Sequence, residues 1–162
     1  MINKSSDVVY LFDFDGTLFG DNSWQTYYKS TKACFQKGPY MYPDNYDVRW
    51  HILTGRPRID NWMIWFICNI NGIHPRSINT YNKWFYPSTV TTEDIFDYKI
   101  KFIMDILKGD ITIQEDKVNK LFYIDNDLHC LSYMNTRSPK SFPTYQALSV
   151  VDFQNENFSV FI

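Results

Sequence analysis

Short apolar runs alternate along the chain with longer amphipathic stretches. The runs are continuous, which is typical of strands that are buried on both faces of a sheet. We predict strands over residues 8–12, 48–53, 79–86 and 121–124. The stretches between them predict helices over residues 23–35, 61–71 and 92–108. Strands that alternate with helices predict an α/β fold with a mainly parallel sheet flanked by helices.

Local signals indicate where several elements begin and end. Asp60 is a predicted N-cap of the second helix, and Gly72 follows its last turn. Thr91 and Asp94 have the spacing of a capping box at the start of the third helix. Two apolar runs, 147–153 and 158–162, flank the polar residues 154–157. This pattern predicts a C-terminal β-hairpin over about residues 147–162.

The composition is typical of an ordinary globular protein and predicts a single domain over residues 1–162. A net charge of -2 gives no strong basic footprint for non-specific binding of nucleic acid. The three cysteines lack metal-ligand spacing, and we expect them to be reduced in a cytoplasmic protein. No apolar run is long enough to predict a membrane span.

Two aspartates, Asp13 and Asp15, come directly after the first predicted strand and are followed by Gly16. Open α/β sheets bind ligands at the carboxyl ends of their strands. Two carboxylates at this edge suit a hard cation and an electrophile such as phosphorus. The alternative is an Asp-rich turn without a chemical role.

Polar residues also follow two other predicted strands. Thr54 and Gly55 come after the second strand, and Asp125 and Asp127 come after the fourth. The carboxyl ends of parallel strands meet at one edge of a sheet. We therefore expect these residues to lie close to Asp13.

Lys99 has helical spacing with the apolar residues Ile95, Phe102, Ile103 and Ile106, so it shares their inward face. A lysine in this position can pack its aliphatic stem and extend its ammonium group to water. With four acids predicted nearby, neutralisation of their charge is the better interpretation.

These residues together resemble the motifs of the haloacid dehalogenase (HAD) superfamily of phosphatases. The segment 13–18, Asp-Phe-Asp-Gly-Thr-Leu, resembles the first motif, and Thr54 before Gly55 resembles the second. Lys99 resembles the third motif, and Asp125 with Asp127 resembles the fourth. Their order and spacing match over residues 8–127. The resemblance implies a HAD-like Rossmannoid fold.

The intervals between the motifs are too short for a large cap domain. The resemblance is therefore to capless members, with a flap over about residues 19–47. These members include the 3′-phosphatase domains of polynucleotide kinase/phosphatases and the HAD domains of predicted RNA-repair proteins. Trp24, Tyr27 and Tyr28 lie in the flap, where they either stack a base or pack the flap helix onto the sheet.

The resemblance also implies a role for each motif residue. Asp13 is the nucleophile, and Asp15 is the general acid and base. The substrate phosphate is bound by Thr54, Gly55 and Lys99. Mg²⁺ is held by Asp13, the Asp15 backbone carbonyl and Asp125, with Asp127 as the fourth acid of the metal site. Which of the last two acids ligates directly is open at this point, as is a substrate or structural role for Arg56.

The expected function is that of a Mg²⁺-dependent phosphohydrolase that acts through an aspartyl-phosphate intermediate. The expected substrate is a nucleic-acid 3′-phosphate end or a nucleotide, since a capless site is open to large substrates. Two alternatives are a phosphoprotein phosphatase and a non-catalytic HAD-like binding or inhibitor module. We expect no membrane partner, and the sequence leaves the oligomeric state open.

Overall fold

The computed structural model describes residues 7–21, 26–86, 89–113, 118–137 and 145–158. In this part of the chain, five strands form one parallel sheet in the order β3-β2-β1-β4-β5. The strands are β1 (Val8–Phe12), β2 (Trp50–Pro57), β3 (Ile78–Tyr81), β4 (Lys120–Ile124) and β5 (Tyr145–Leu148). The helices are α1 (Tyr27–Gln36), α2 (Asn61–Ile70), α3 (Thr92–Lys108), α4 (Leu128–Arg137) and α5 (Val150–Phe158). The predicted α/β class and parallel sheet are confirmed, and the arrangement is consistent with a Rossmann-like fold.

Two apolar cores lie on opposite faces of the sheet. Val9 and Leu11 of β1 pack in one core, together with residues of α3 and α4. Phe12 packs in the other core, together with residues of α2 and with Phe153 of α5. Because helices cover both faces, the central strand β1 is apolar along its whole length.

The strand order reverses between β1 and β4, where the chain crosses back over the sheet. A crevice opens at such a point, at the carboxyl ends of the strands. Phe12 and Ile124, the last residues of these two strands, are direct neighbours in the register. The next residues, Asp13 and Asp125, therefore both start at this crevice.

Helix α3 carries a lysine into the interior of the fold. Its predicted capping box is confirmed: Asp94 N donates to Thr91 Oγ1 at 3.1 Å, and Thr91 N donates to Asp94 Oδ2 at 2.9 Å. The helix ends at Lys108 and is followed by Gly109, whose φ of 79° is left-handed and favours glycine. Lys99 lies on the buried face with Ile103 and is only 4% exposed. The predicted inward direction of Lys99 is confirmed.

The predicted C-terminal hairpin is wrong. The chain forms the parallel strand β5 up to Leu148 and then the helix α5, which includes the predicted turn 154–157. Ser149 Oγ accepts a hydrogen bond from Asp152 N at 3.1 Å and so caps this helix. Phe153 is buried against Phe12, so helical spacing and not alternation directs the apolar side chains inward. Residues 159–162 lie outside the described part of the chain.

Several other boundaries differ from the prediction. The second strand runs on to Pro57, so Thr54 and Gly55 lie within the strand and not after it. The third strand is shorter than predicted and ends at Tyr81. The predicted helix 23–35 is observed from Tyr27, and residues 22–25 lie outside the described part of the chain. No helix among the described residues is long and apolar enough to cross a membrane.

Asp60 precedes α2 as predicted, but its side chain makes no capping hydrogen bond. The carboxylate instead accepts hydrogen bonds from Arg56 Nη1 and from the Tyr27 hydroxyl. A cation and a hydroxyl group are stronger partners for a buried carboxylate than a helix N-terminus alone.

Candidate active site

A buried cluster of charged groups lies where β1 and β4 end. Lys99 Nζ donates to Asp13 Oδ1 at 2.8 Å and lies 3.6 Å from Asp125 Oδ2. The Tyr123 hydroxyl accepts from Lys99 Nζ at 2.7 Å and donates to Asp125 Oδ2 at 2.6 Å. The structure therefore brings together Asp13, Lys99 and Asp125, which the sequence predicts to be neighbours.

When both acids are ionised, the cluster contains more negative charge than its lysine compensates. Burial, with the added repulsion of Asp125, raises the pKa of Asp13 to about 8. Burial alone would lower the pKa of Lys99, but attraction by Asp13 and Asp125 outweighs it and raises that pKa. Two carboxylates that face one ammonium group favour a further cation at the same place.

The loops after β1 and β4 are tied together beside Asp13. Thr17 Oγ1 donates to Asp13 Oδ2 at 3.3 Å and accepts from Asn126 N at 3.0 Å. Gly16 has a φ of 75°, a left-handed conformation that favours glycine and turns the chain tightly after the aspartates. Thr17 therefore holds Asp13 Oδ2, while Asp13 Oδ1 faces Lys99.

Asp15 faces the same crevice and is held by Arg56. The guanidinium group donates from Nε to Asp15 Oδ2 at 2.9 Å and from Nη2 to Asp15 Oδ1 at 2.8 Å. Its Nη1 donates to Asp60 Oδ2 at 3.2 Å, so the arginine joins two acids. The Arg56 side chain is only 5% exposed. The sequence left the role of Arg56 open. Asp60 four residues later does not show that Arg56 is buried, since Lys101 and Asp105 have the same spacing and Lys101 is exposed.

Thr54 and Gly55 lie in different surroundings although they are adjacent. Thr54 is buried, and its Oγ1 accepts from Arg56 N at 3.2 Å. Gly55 lines the crevice, and its carbonyl accepts from the Tyr86 hydroxyl. A Cβ at Gly55 would lie 2.3 Å from Ile95 Cγ2, so glycine allows α3 to approach β2 closely. Gly55 is thus required for the packing that positions Lys99.

The structure distinguishes the two acids after β4. Asp127 Oδ1 accepts from His129 N at 2.9 Å and from Cys130 N at 3.3 Å, which are bonds that cap α4. Asp125 is buried and faces Lys99, while its Oδ1 accepts from Asp127 N at 2.8 Å. Of the two, Asp125 is the one placed to share a ligand with Asp13.

A cavity of about 220 Å³ opens above these groups. Its charged lining includes all four predicted acids, together with Arg56 and Lys99. Its other wall includes the apolar and aromatic side chains of Tyr27, Pro57, Tyr86, Ile95 and Phe96. Of the predicted flap aromatics, Tyr27 lines the cavity, Tyr28 is exposed, and Trp24 lies outside the described residues.

The donor atoms of this site fit Mg²⁺. Within the described ranges, no group of three or more His, Cys, Asp or Glu side chains is arranged to hold a metal ion. Mg²⁺ does not need such a group, because it keeps several waters and binds through one or two carboxylates plus substrate phosphate. Asp13 and Asp125 supply two carboxylates, and their excess of negative charge is the observation that favours the ion.

Comparisons of the chain with protein-family models, with curated proteins and with solved structures gave no match. The fold class therefore rests on the sheet topology. The assignment to the HAD superfamily stays a prediction from the motifs.

Proposed function

We propose that the protein is a Mg²⁺-dependent phosphohydrolase that acts through an aspartyl-phosphate on Asp13. One observation carries the proposal. Asp13 lies at the carboxyl end of the central strand, 2.8 Å from the Lys99 ammonium group and beside the buried Asp125. A carboxylate held in this way is oriented for attack on an electrophile in the cavity.

In the first step, an Asp13 oxygen forms a bond to phosphorus, and the bond between phosphorus and the leaving oxygen breaks. Asp15 gives a proton to that leaving oxygen. In the second step, a water molecule attacks the phosphorus of the aspartyl-phosphate and gives its proton to Asp15. Inorganic phosphate leaves, and Asp13 returns as a carboxylate.

Lys99 and Arg56 supply the positive charge on the protein side. Lys99 lies against Asp13 and is placed to stabilise negative charge that develops on the phosphoryl oxygens. Arg56 holds Asp15 at the wall of the cavity through both carboxylate oxygens, so one of these hydrogen bonds is released when Asp15 carries the proton that it gives. When bound by Asp13, Asp125 and the Asp15 backbone carbonyl, Mg²⁺ would neutralise phosphate charge.

The expected substrate is a nucleic-acid 3′-phosphate end or a nucleotide. The phosphate would face the charged side of the cavity, and the attached group would face Tyr27, Tyr86 and Phe96. An apolar and aromatic wall suits a nucleoside. A phosphoprotein substrate and a non-catalytic binding module are the alternatives.

The test measures phosphate release from p-nitrophenyl phosphate and from a 3′-phosphorylated oligonucleotide, with Mg²⁺ or with EDTA. The same oligonucleotide with a 5′-phosphate is the matched substrate control. Asp13→Asn is the test variant, and Asp110→Asn, which changes an exposed acid, is the matched control variant. We expect Mg²⁺-dependent release that is lost in Asp13→Asn and kept in Asp110→Asn.

Preference for the 3′-phosphate over the 5′-phosphate would support the nucleic-acid substrate. Equal release by Asp13→Asn and the wild type would overturn the proposed mechanism. Absence of release from these substrates and from nucleotide and phosphopeptide panels, by folded protein, would favour the binding module.

A further inference from the structure

Helix α2 has no charged residue, and most of its exposed side chains are apolar. Its inner face packs in the core. Its outer face carries Trp62, Trp65, Phe66 and Ile70, which we call the α2 stripe. These four side chains are between 43% and 66% exposed. An ordinary surface helix carries charged residues on this side, whereas a helix that is apolar all round is normally covered.

Two further aromatic residues, Trp84 and Phe85, extend the apolar surface at the start of α2. Arg58 N donates to the carbonyl of Lys83 at 2.9 Å, and Ile59 N donates to the carbonyl of Trp84 at 3.2 Å. These bonds hold this segment against the turn that leads into α2. Both aromatic side chains are more than half exposed.

The area that these six apolar side chains expose is close to the area that one partner of a stable dimer buries. A large side chain has an area of about 200 Å², so the six side chains together expose roughly 700 Å². The largest apolar patch on a typical monomer is about 300–600 Å². A stable dimer buries about 800 Å² on each partner. The α2 stripe and its two neighbours supply nearly all of that area.

We propose that the α2 stripe, together with Trp84 and Phe85, is a homodimer interface that is covered by the same surface of a second copy of this chain. The core of the stripe has no charge that would select a partner of opposite charge, and charged residues are depleted in the cores of interfaces. A straight apolar stripe is also complementary to itself when two copies are related by a two-fold axis.

An antiparallel pair of α2 helices has its centre between Trp65 and Phe66. Trp65 of each copy then packs against Phe66 of the other. Trp62 of each copy meets Asn69 of the other, whose amide can accept from the indole N–H. The two aromatic residues at the centre are therefore the positions where a change affects both halves of the interface.

The test is sedimentation equilibrium over a wide range of protein concentration. We expect a dimer for the wild type and a dissociation constant about 1000-fold higher for Trp65→Lys, because each dimer contains the changed side chain twice. Ile70→Lys is the second variant and remains informative if Trp65→Lys does not fold. Val151→Lys, an exposed apolar residue on α5, is the matched control and should remain dimeric.

A monomeric wild type would overturn the proposal, and so would Trp65→Lys or Ile70→Lys proteins that are folded and dimerise as tightly as the wild type. Circular dichroism of each variant shows whether it is folded. None of these results depends on phosphatase activity, so the interface and the proposed function are tested separately.

Discussion

Replacement of Arg56 by methionine should destabilise the fold strongly. Arg56 is buried between Asp15 and Asp60, and methionine keeps an unbranched apolar stem but has neither the charge nor the donors of the guanidinium group. The change leaves the Asp60 carboxylate in the interior without its cation. The hydroxyl of Tyr27 remains its partner. The free-energy cost of leaving the buried Asp60 carboxylate without its cation therefore determines the size of the effect.

The magnitude follows from the distance between the two charges. Nη1 of Arg56 lies 3.2 Å from Asp60 Oδ2. At an effective dielectric constant of about 20, the attraction is about 5 kcal/mol. Removal of one partner of a buried pair typically costs about 3–5 kcal/mol. Asp15 is 27% exposed, so water can replace part of its contact with Arg56. We expect a loss of about 3 kcal/mol in the free energy of unfolding.

Urea denaturation followed by circular dichroism, at one fixed protein concentration, measures this loss. Arg58→Met changes an exposed arginine two residues away and should cost less than about 0.5 kcal/mol. Addition of Asp60→Asn to Arg56→Met should recover about 1 kcal/mol or more, because the buried charge is then gone. The reasoning is refuted if Arg56→Met lowers the free energy of unfolding by less than about 1 kcal/mol. It is also refuted if the losses measured for Arg56→Met and Asp60→Asn alone add up to the loss in the double variant.

Three further changes test the site. Gly55→Ala should cost about 1–3 kcal/mol of stability in urea denaturation, because the new methyl group meets Ile95, and Ile95→Ala should relieve part of it. Tyr123→Phe should lower kcat about 10-fold in a phosphate-release assay without unfolding the protein, because Asp125 loses a hydrogen bond. Mg²⁺ should raise the Tm of the wild type but not that of Asp125→Asn, since only a group that holds the ion links binding to stability.

A different result would contradict each of these three predictions. No rescue of Gly55→Ala by Ile95→Ala would show that the contact between β2 and α3 is not the cause. Unchanged kcat in Tyr123→Phe would show that the Tyr123 hydroxyl does not contribute to catalysis. Equal Mg²⁺ shifts in the wild type and in Asp125→Asn would place the ion elsewhere.

The parts of the fold that follow from the sequence are those with local signals. The continuous apolar runs of β1 and β4 indicate strands in the centre of a sheet, because only buried strands have apolar residues on both faces. The capping box of α3 is complete within four residues. The helical period of its apolar face is enough to direct Lys99 inward.

Some of the parts that the sequence analysis missed depend on partners far away in the sequence. Asp15 contacts Arg56 across 41 positions, and no short window shows that such a pair is buried. Tyr123 was part of an apolar run, although its position two residues before Asp125 puts both on one face of the chain. The C-terminal residues have high β propensity, but Phe153 is buried from the helix α5.

The pairing of β1 with β4 determines when the site can exist during synthesis. β1 is made first, yet its neighbour β4 starts at Lys120 and is made last but one among the described strands. Contacts between such distant segments form slowly. Until they form, β1 has no neighbouring strand on the edge that β4 occupies in the folded protein. Its apolar side chains are then incompletely covered, which exposes the nascent chain to aggregation. Asp13 meets Asp125 only after residues 14–124 have been made, so a chain shortened before β4 loses the neighbour of β1 as well as Asp125 of the charged cluster.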